Sequence, residues 1–142
     1  MNKQTPDNAI GQYRVTDAYG AAAAGDRLQL VTRMMQGALD RVATARGHLR
    51  RGETAPKGEQ IGRAIGLVDG LRTCLDTTGD YDIAANLDSL YRYMLTRLLD
   101  ASRNDDDEAL AEVADLLGEI KSGWELMASQ YRPEENQPAA TV

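Results

Sequence analysis

The sequence predicts an all-α fold, an antiparallel up-down four-helix bundle with a short docked segment at its N-terminus. Three observations carry this. Apolar residues recur at strict three- and four-residue spacing through several long stretches, which is the period of a helix face. The apolar mass comes from Leu, Ala, Val, Ile and Met, with no Phe and one Trp, as in packed helices rather than a β-sandwich. The breaks between stretches are short, so neighbouring helices must run antiparallel and cross at small angles. At 142 residues the chain suits one domain with a real core.

Residues 1–12 are polar and carry Pro6 and Gly11; they are expected to be disordered. Tyr13, Val15, Ala18 and Tyr19 precede an alanine run that ends at Gly25. This segment is too apolar for a free tail and too short to hold as a helix alone, so it is expected to dock. The helical bundle is placed at 13–131. Its first helix, 26–51, opens on Asp26 as N-cap and carries Leu28, Val31, Met35, Ala38, Val42, Ala45 and Leu49 on one stripe. Gly52 to Pro56 breaks the pattern. A second helix, 57–77, has Ile61, Ala64, Ile65, Val68, Leu71 and Leu75 on one side.

The third helix, 80–103, is unusual. Ile83, Ala84, Leu87, Leu90, Tyr91, Met94, Leu95, Leu98 and Leu99 cover roughly 180° at 100° per residue, against about 100° for a core-facing stripe. Such a helix is expected to face two things. Asn104 to Glu108 lacks the alternating ligands and central Gly of a calcium loop. It reads instead as a helix start, with Asp105 and Glu108 at capping-box spacing and carboxylates suited to the dipole. The fourth helix, 105–131, bears Leu110, Val113, Leu117, Ile120, Trp124, Met127 and Tyr131. Residues 132–142, with Pro133 and Pro138, are expected to form a disordered tail. Gly37 and Gly118, inside helices, are expected to mark close packing of neighbours.

The residues argue against catalysis. His48 is the one histidine, which leaves a Ser-His-Asp triad, a Cys-His pair or a di-iron bundle without partners. No Walker A loop, GxSxG or CxxCH is present. Asp69, Asp76, Asp80 and Asp82 are turn and surface positions without burial to shift a pKa. Cys74, the lone cysteine, excludes an internal disulfide and any zinc-ligand set, and sits where a small buried hydrophobe belongs. No enzyme, cofactor or metal site is expected. The net charge of −6, with scattered basic residues, disfavours nucleic acid and anionic membranes as partners. With no apolar leader and no run near the ~18 residues of a spanning helix, the protein is read as cytosolic.

Gly58, Gly62, Gly66 and Gly70 recur every four residues on the outer side of the second helix. An interior glycine costs about 0.5–1 kcal/mol against Ala. Two readings stand: a side-chain-free groove for a partner helix, or tolerance at exposed positions and packing on a neighbour. An amphipathic partner laid on exposed apolar surface would suit helices two and three, with the segment around Tyr13 covering such a surface in its absence.

From Tyr13 to Trp124 the chain resembles the flagellar secretion chaperone FliS family. The matching pieces are Tyr13-Arg14-Val15, Met34-Met35-Gln36-Gly37-Ala38-Leu39, the run from Ile61 to Leu71, Leu75-Asp76, the run from Ile83 to Met94, then Glu112-Val113, Leu117 and Trp124. Asn86-Leu87 followed by Leu90-Tyr91-Arg92-Tyr93-Met94 is the most specific. Met34-Met35-Gln36-Gly37 stands where many members carry Leu-Tyr-Asp-Gly, and Gly25-Asp26 where Ser-Pro is usual.

The resemblance implies a cytosolic, non-enzymatic export chaperone. It would bind the disordered C-terminal segment of flagellin, prevent premature polymerisation and aid delivery to the flagellar type III export apparatus. Partner-binding candidates on that basis are Tyr13, Val15, Gly62, Ile65, Gly66, Val68, Leu87, Leu90, Tyr91 and Met94. Leu87, Leu90 and Met94 also lie nearest the inward face of the third helix, so core and binding surface both remain open for them. Export-gate components are further partners the resemblance suggests. The alternative reading is a regulatory adaptor whose partner is an anti-sigma factor or another flagellar regulator.

Overall fold

The computed structural model describes the backbone of residues 6–75 and 81–136, and the side chains of residues 25–75 and 82–130. Four helices follow in order: α1 Pro6–Arg50, α2 Thr54–Thr73, α3 Tyr81–Asn104 and α4 Asp107–Asn136. No strand occurs among the described residues. Residues 1–30 and 31–142 form two compact units. The core belongs to the second, to which α1 contributes its residues 31–50.

Each helix supplies one stripe to that core. Val31, Met35, Ala38, Val42 and Ala45 of α1 meet Ile61, Ala64, Val68 and Leu71 of α2, Tyr91, Met94, Leu98 and Ala101 of α3, and Ala109, Leu110, Val113 and Leu117 of α4. The spacing read from the sequence therefore places the buried faces correctly. A fully buried Leu-sized side chain stabilises by about 1.5–3 kcal/mol, so these stripes dominate the energetics. Ala45, Ala101 and Ala109 lie beside the two tight turns, where small side chains let the helices converge. Gly37 serves the same end, since a Cβ there would stand 3.2 Å from Leu67 Cδ1. Gly118 does not mark close packing, because nothing lies within 4 Å of where its Cβ would be.

The turns explain where the helices stop. Gly52 adopts φ +72°, Gly52 N donates to Leu49 O at 3.1 Å and Glu53 N to His48 O at 2.9 Å. This pair of bonds is a Schellman motif, which satisfies the last carbonyls of α1. Pro56 does not end a break but sits in the first turn of α2, where its missing N–H is harmless. Between α3 and α4 the expected cap shifts by one residue. Asp106, not Asp105, caps α4, its Oδ1 accepting from Ala109 N at 3.1 Å, as an N-cap does for the third helical residue. Asp105 takes φ +51°, the left-handed conformation Asp tolerates at a helix end, and its carboxylate turns to Lys57.

The N-terminal expectation needs correction. α1 starts at Pro6 rather than Asp26, so residues 6–12 are helical rather than disordered, and 13–25 continue α1 rather than forming a separate segment. Pro6 suits a first helical position, and Ala21 to Ala24 have the highest helix propensity, which carries the helix through Gly25. α2 ends at Thr73, short of residue 77. α4 continues through Pro133 to Asn136, so the expected tail is shorter. Residues 1–5, 76–80 and 137–142 lie outside the described residues.

Candidate partner-binding surface

Two contacts set α2 against α3. Lys57 Nζ donates to Ser102 O at 3.1 Å, and Arg72 Nε donates to Asp88 Oδ1 at 3.0 Å. In the antiparallel register between these anchors, Ile65 comes level with Leu95, and Gly62 with the turn that carries Leu98 and Leu99. Ile65 and Leu95 are half-buried against the core. Leu99 is 44% exposed. Gly62 and Gly66 are exposed, and nothing lies within 4 Å of a Cβ at Gly58, Gly62 or Gly66. The outer side of α2 is thus bare backbone for about two turns, next to an apolar rim from α3. Asp88 closes one end of this strip, since its second oxygen also accepts from Arg92 Nε at 3.1 Å. Gly70 departs from its three relatives: Met34 Cε would stand 2.5 Å from its Cβ, so it serves the α1–α2 contact.

The candidates named from the sequence do not form one surface. Gly62, Gly66 and Ile65 come together on the α2–α3 side. Val68, Tyr91 and Met94 are core residues here, with exposures of 0%, 2% and 0%. At 100° per residue they centre on the inward faces of their helices, so a partner cannot touch them while the bundle stays intact. Leu87 and Leu90 are half-buried. Leu90 shares its face with Tyr93 and Arg97, one and two turns on, which bond to α4; it therefore flanks the other side of α3. The side chains of Tyr13 and Val15 lie outside the described residues. Leu95 and Leu99 were not among the candidates, although they come level with Ile65 and Gly62 and the 180° width of the α3 arc signalled that its edges could not all be core.

The α3–α4 flank is tied by polar groups. Tyr93 Oη donates to Glu112 Oε1 at 2.6 Å and Arg97 Nε to the same oxygen at 2.9 Å. These bonds hold the Glu112 carboxyl below its ordinary range, Tyr93 first, and raise the Tyr93 hydroxyl in return. Arg46 bonds Asp107 at 2.8 Å and lowers its carboxyl likewise. His48 Nδ1 lies 2.9 Å from Glu53 Oε1 at the α1–α2 turn, a structural contact. Cys74 is half-buried and packs against the core. Among the described residues no group of His, Cys, Asp and Glu could hold a metal ion, and no helix is long and apolar enough to cross a membrane. What the surface offers is shape and apolar area, which is the chemistry of helix recognition.

The family described as flagellar protein FliS matches residues 8–131. The chain belongs to the FliS family. FliSB of Pseudomonas aeruginosa, a flagellar secretion chaperone, is 41% identical over 117 residues, 82% of this chain and 93% of that protein. The flagellar secretion chaperone FliS of Vibrio cholerae is 30% identical over 134 residues, covering 94% and 96% of the two chains. That of Salmonella typhimurium is 32% identical over 131 residues, 92% and 97%. The resemblance read from Tyr13 to Trp124 thus extends over nearly the whole FliS chain, and these FliS relatives are chaperones rather than enzymes.

Proposed function

We propose that the protein is a cytosolic export chaperone for flagellin, holding the disordered C-terminal segment of the subunit, preventing its polymerisation and aiding its delivery to the flagellar type III export apparatus. Membership of the FliS family carries this reading. The open α2–α3 strip supports it. Gly62 and Gly66 let a helical backbone approach closely, while Ile65, Leu95 and Leu99 offer apolar contact to an amphipathic segment. A client that folds as it binds buries apolar surface and gains helix, which gives a negative heat-capacity change.

Calorimetry with the C-terminal peptide of a flagellin from the same cell is expected to show saturable binding, a negative heat-capacity change and added helical circular dichroism. Leu99→Glu is expected to weaken binding by about tenfold or more while leaving the melting temperature near that of the parent. Absence of binding by the parent chain sinks the proposal. A pull-down that recovers an anti-sigma factor and no flagellin would favour the adaptor reading instead.

A further inference from the structure

The open strip between α2 and α3 has three rungs. The register that sets Lys57 against Ser102 and Arg72 against Asp88 brings Gly66 level with Leu95, Gly62 with Leu99 and Gly58 with Arg103. On the α2 side the rungs are bare backbone, with nothing within 4 Å of a Cβ at any of these glycines. On the α3 side they form one face, since Leu95, Leu99 and Arg103 follow at four-residue spacing. Leu99 and Arg103 are both exposed. Each side of the strip measures about 12 Å at 1.5 Å per residue. The strip is therefore apolar over two rungs and cationic at the third.

Arg103 differs from the other charges beside the strip. Asp69 pairs with Arg72, Asp88 with Arg72 and Arg92, Glu59 with Arg63, and Asp105 with Lys57. The Arg103 guanidinium makes no hydrogen bond or ion pair among the described residues. It stands in the last turn of α3, where a cation complements the helix dipole. That role needs nothing outside the chain, yet it leaves the charge facing whatever lies along the strip. A helix docked there takes water from the guanidinium, and a charge that loses water without gaining a counter-charge opposes binding. An acidic group on the partner turns the same rung into a favourable contact, and the planar fork of arginine suits a carboxylate. The opposite end of the strip makes no such demand, because Asp88 is already neutralised by its two arginines.

We propose that the strip selects its partner by charge as well as shape: it takes a helical segment with two apolar side chains one turn apart and an Asp or Glu one further turn along, whose carboxylate pairs with Arg103. The unlike ends of the strip then fix which way the segment lies. The identity of the segment as the C-terminal region of flagellin rests on the chaperone reading; its placement rests on Arg103.

The test is calorimetry with the full chain and the C-terminal peptide of flagellin. R103Q is expected to bind about two- to fivefold more weakly and R103E about tenfold or more. The loss is expected to shrink in high salt, with melting temperatures close to the parent's. In a panel of peptides with each Asp or Glu replaced in turn by Lys, one replacement is expected to weaken binding to the parent chain and to be relieved by R103E. Unchanged affinity in R103E overturns the proposal and leaves Arg103 to the helix dipole. So does a loss that no peptide replacement relieves. A second arm uses two designed helical peptides, identical but for one residue, with two Leu at four-residue spacing and either Glu or Lys four residues further. The parent chain is expected to prefer the Glu peptide and R103E the Lys peptide. Equal binding of the two, or binding of neither, overturns the proposal. If the parent chain binds no flagellin peptide, the chaperone reading fails while the designed pair still decides the role of Arg103.

Discussion

Tyr91 and Tyr93 stand two residues apart in the most specific motif of the chain and have opposite fates. Two residues turn a helix by about 200°, so Tyr91 enters the core at 2% exposure while Tyr93 stays 44% exposed and bonds Glu112. Burial, ahead of the nearby Cys74, pushes the Tyr91 hydroxyl up to about 12. A folded value above the ordinary value of about 10 means that folding favours the neutral phenol. The stability this contributes is complete below about pH 10 and is lost as pH rises toward the folded value. Tyrosinate absorbance is therefore expected to show one tyrosine that resists ionisation until helical signal is lost at high pH, and Y91F is expected to remove that component. Ionisation of Tyr91 in the ordinary range, with the fold intact, would contradict its placement. The sequence named Tyr91 as a contact residue because the motif is specific. Its burial depends on where α1 and α4 pack.

At the scale of the element, α2 shows how function and stability compete. Glycines in a helix interior cost about 0.5–1 kcal/mol each, and at Gly66 no neighbour would oppose a side chain. Gly66→Ala is thus expected to stabilise the chain by about that amount in urea unfolding. Gly70→Ala is expected to gain less, because Met34 Cε must move. No gain at Gly66 would mean the open strip is covered. That α1 to α4 are helices was legible from periodicity, since long stretches at strict spacing admit no other element. Their ends were not. Gly25-Asp26 looked like a start, but the alanines before it carry α1 through. Asp105 and Asp106 both qualify as caps by composition, and backbone geometry gave the cap to Asp106 and the ion pair to Asp105.

Across the whole molecule, carboxylates join helices that are not held by apolar contact alone: Asp107 with Arg46 between α4 and α1, Glu112 with Tyr93 and Arg97 between α4 and α3. Both carboxyls titrate below their ordinary values. Their stabilisation is present above the unfolded values of about 4 and is lost as pH falls through the lower folded ones. Melting temperatures measured across the acid range are expected to fall as pH drops below about 4, with a shallower fall in E112Q. An unchanged acid slope in E112Q would assign the effect elsewhere. The sequence by itself determined that the chain is all-α, which stripe of each helix is apolar, and which family it resembles, because all three rest on residue identity and spacing. Only the tertiary structure decided which residues of the broad α3 arc are core, that the glycine strip is open at Gly62 and Gly66 but closed at Gly70, and that Lys57 is buried. Those depend on what packs against each face, which residue identity and spacing do not fix.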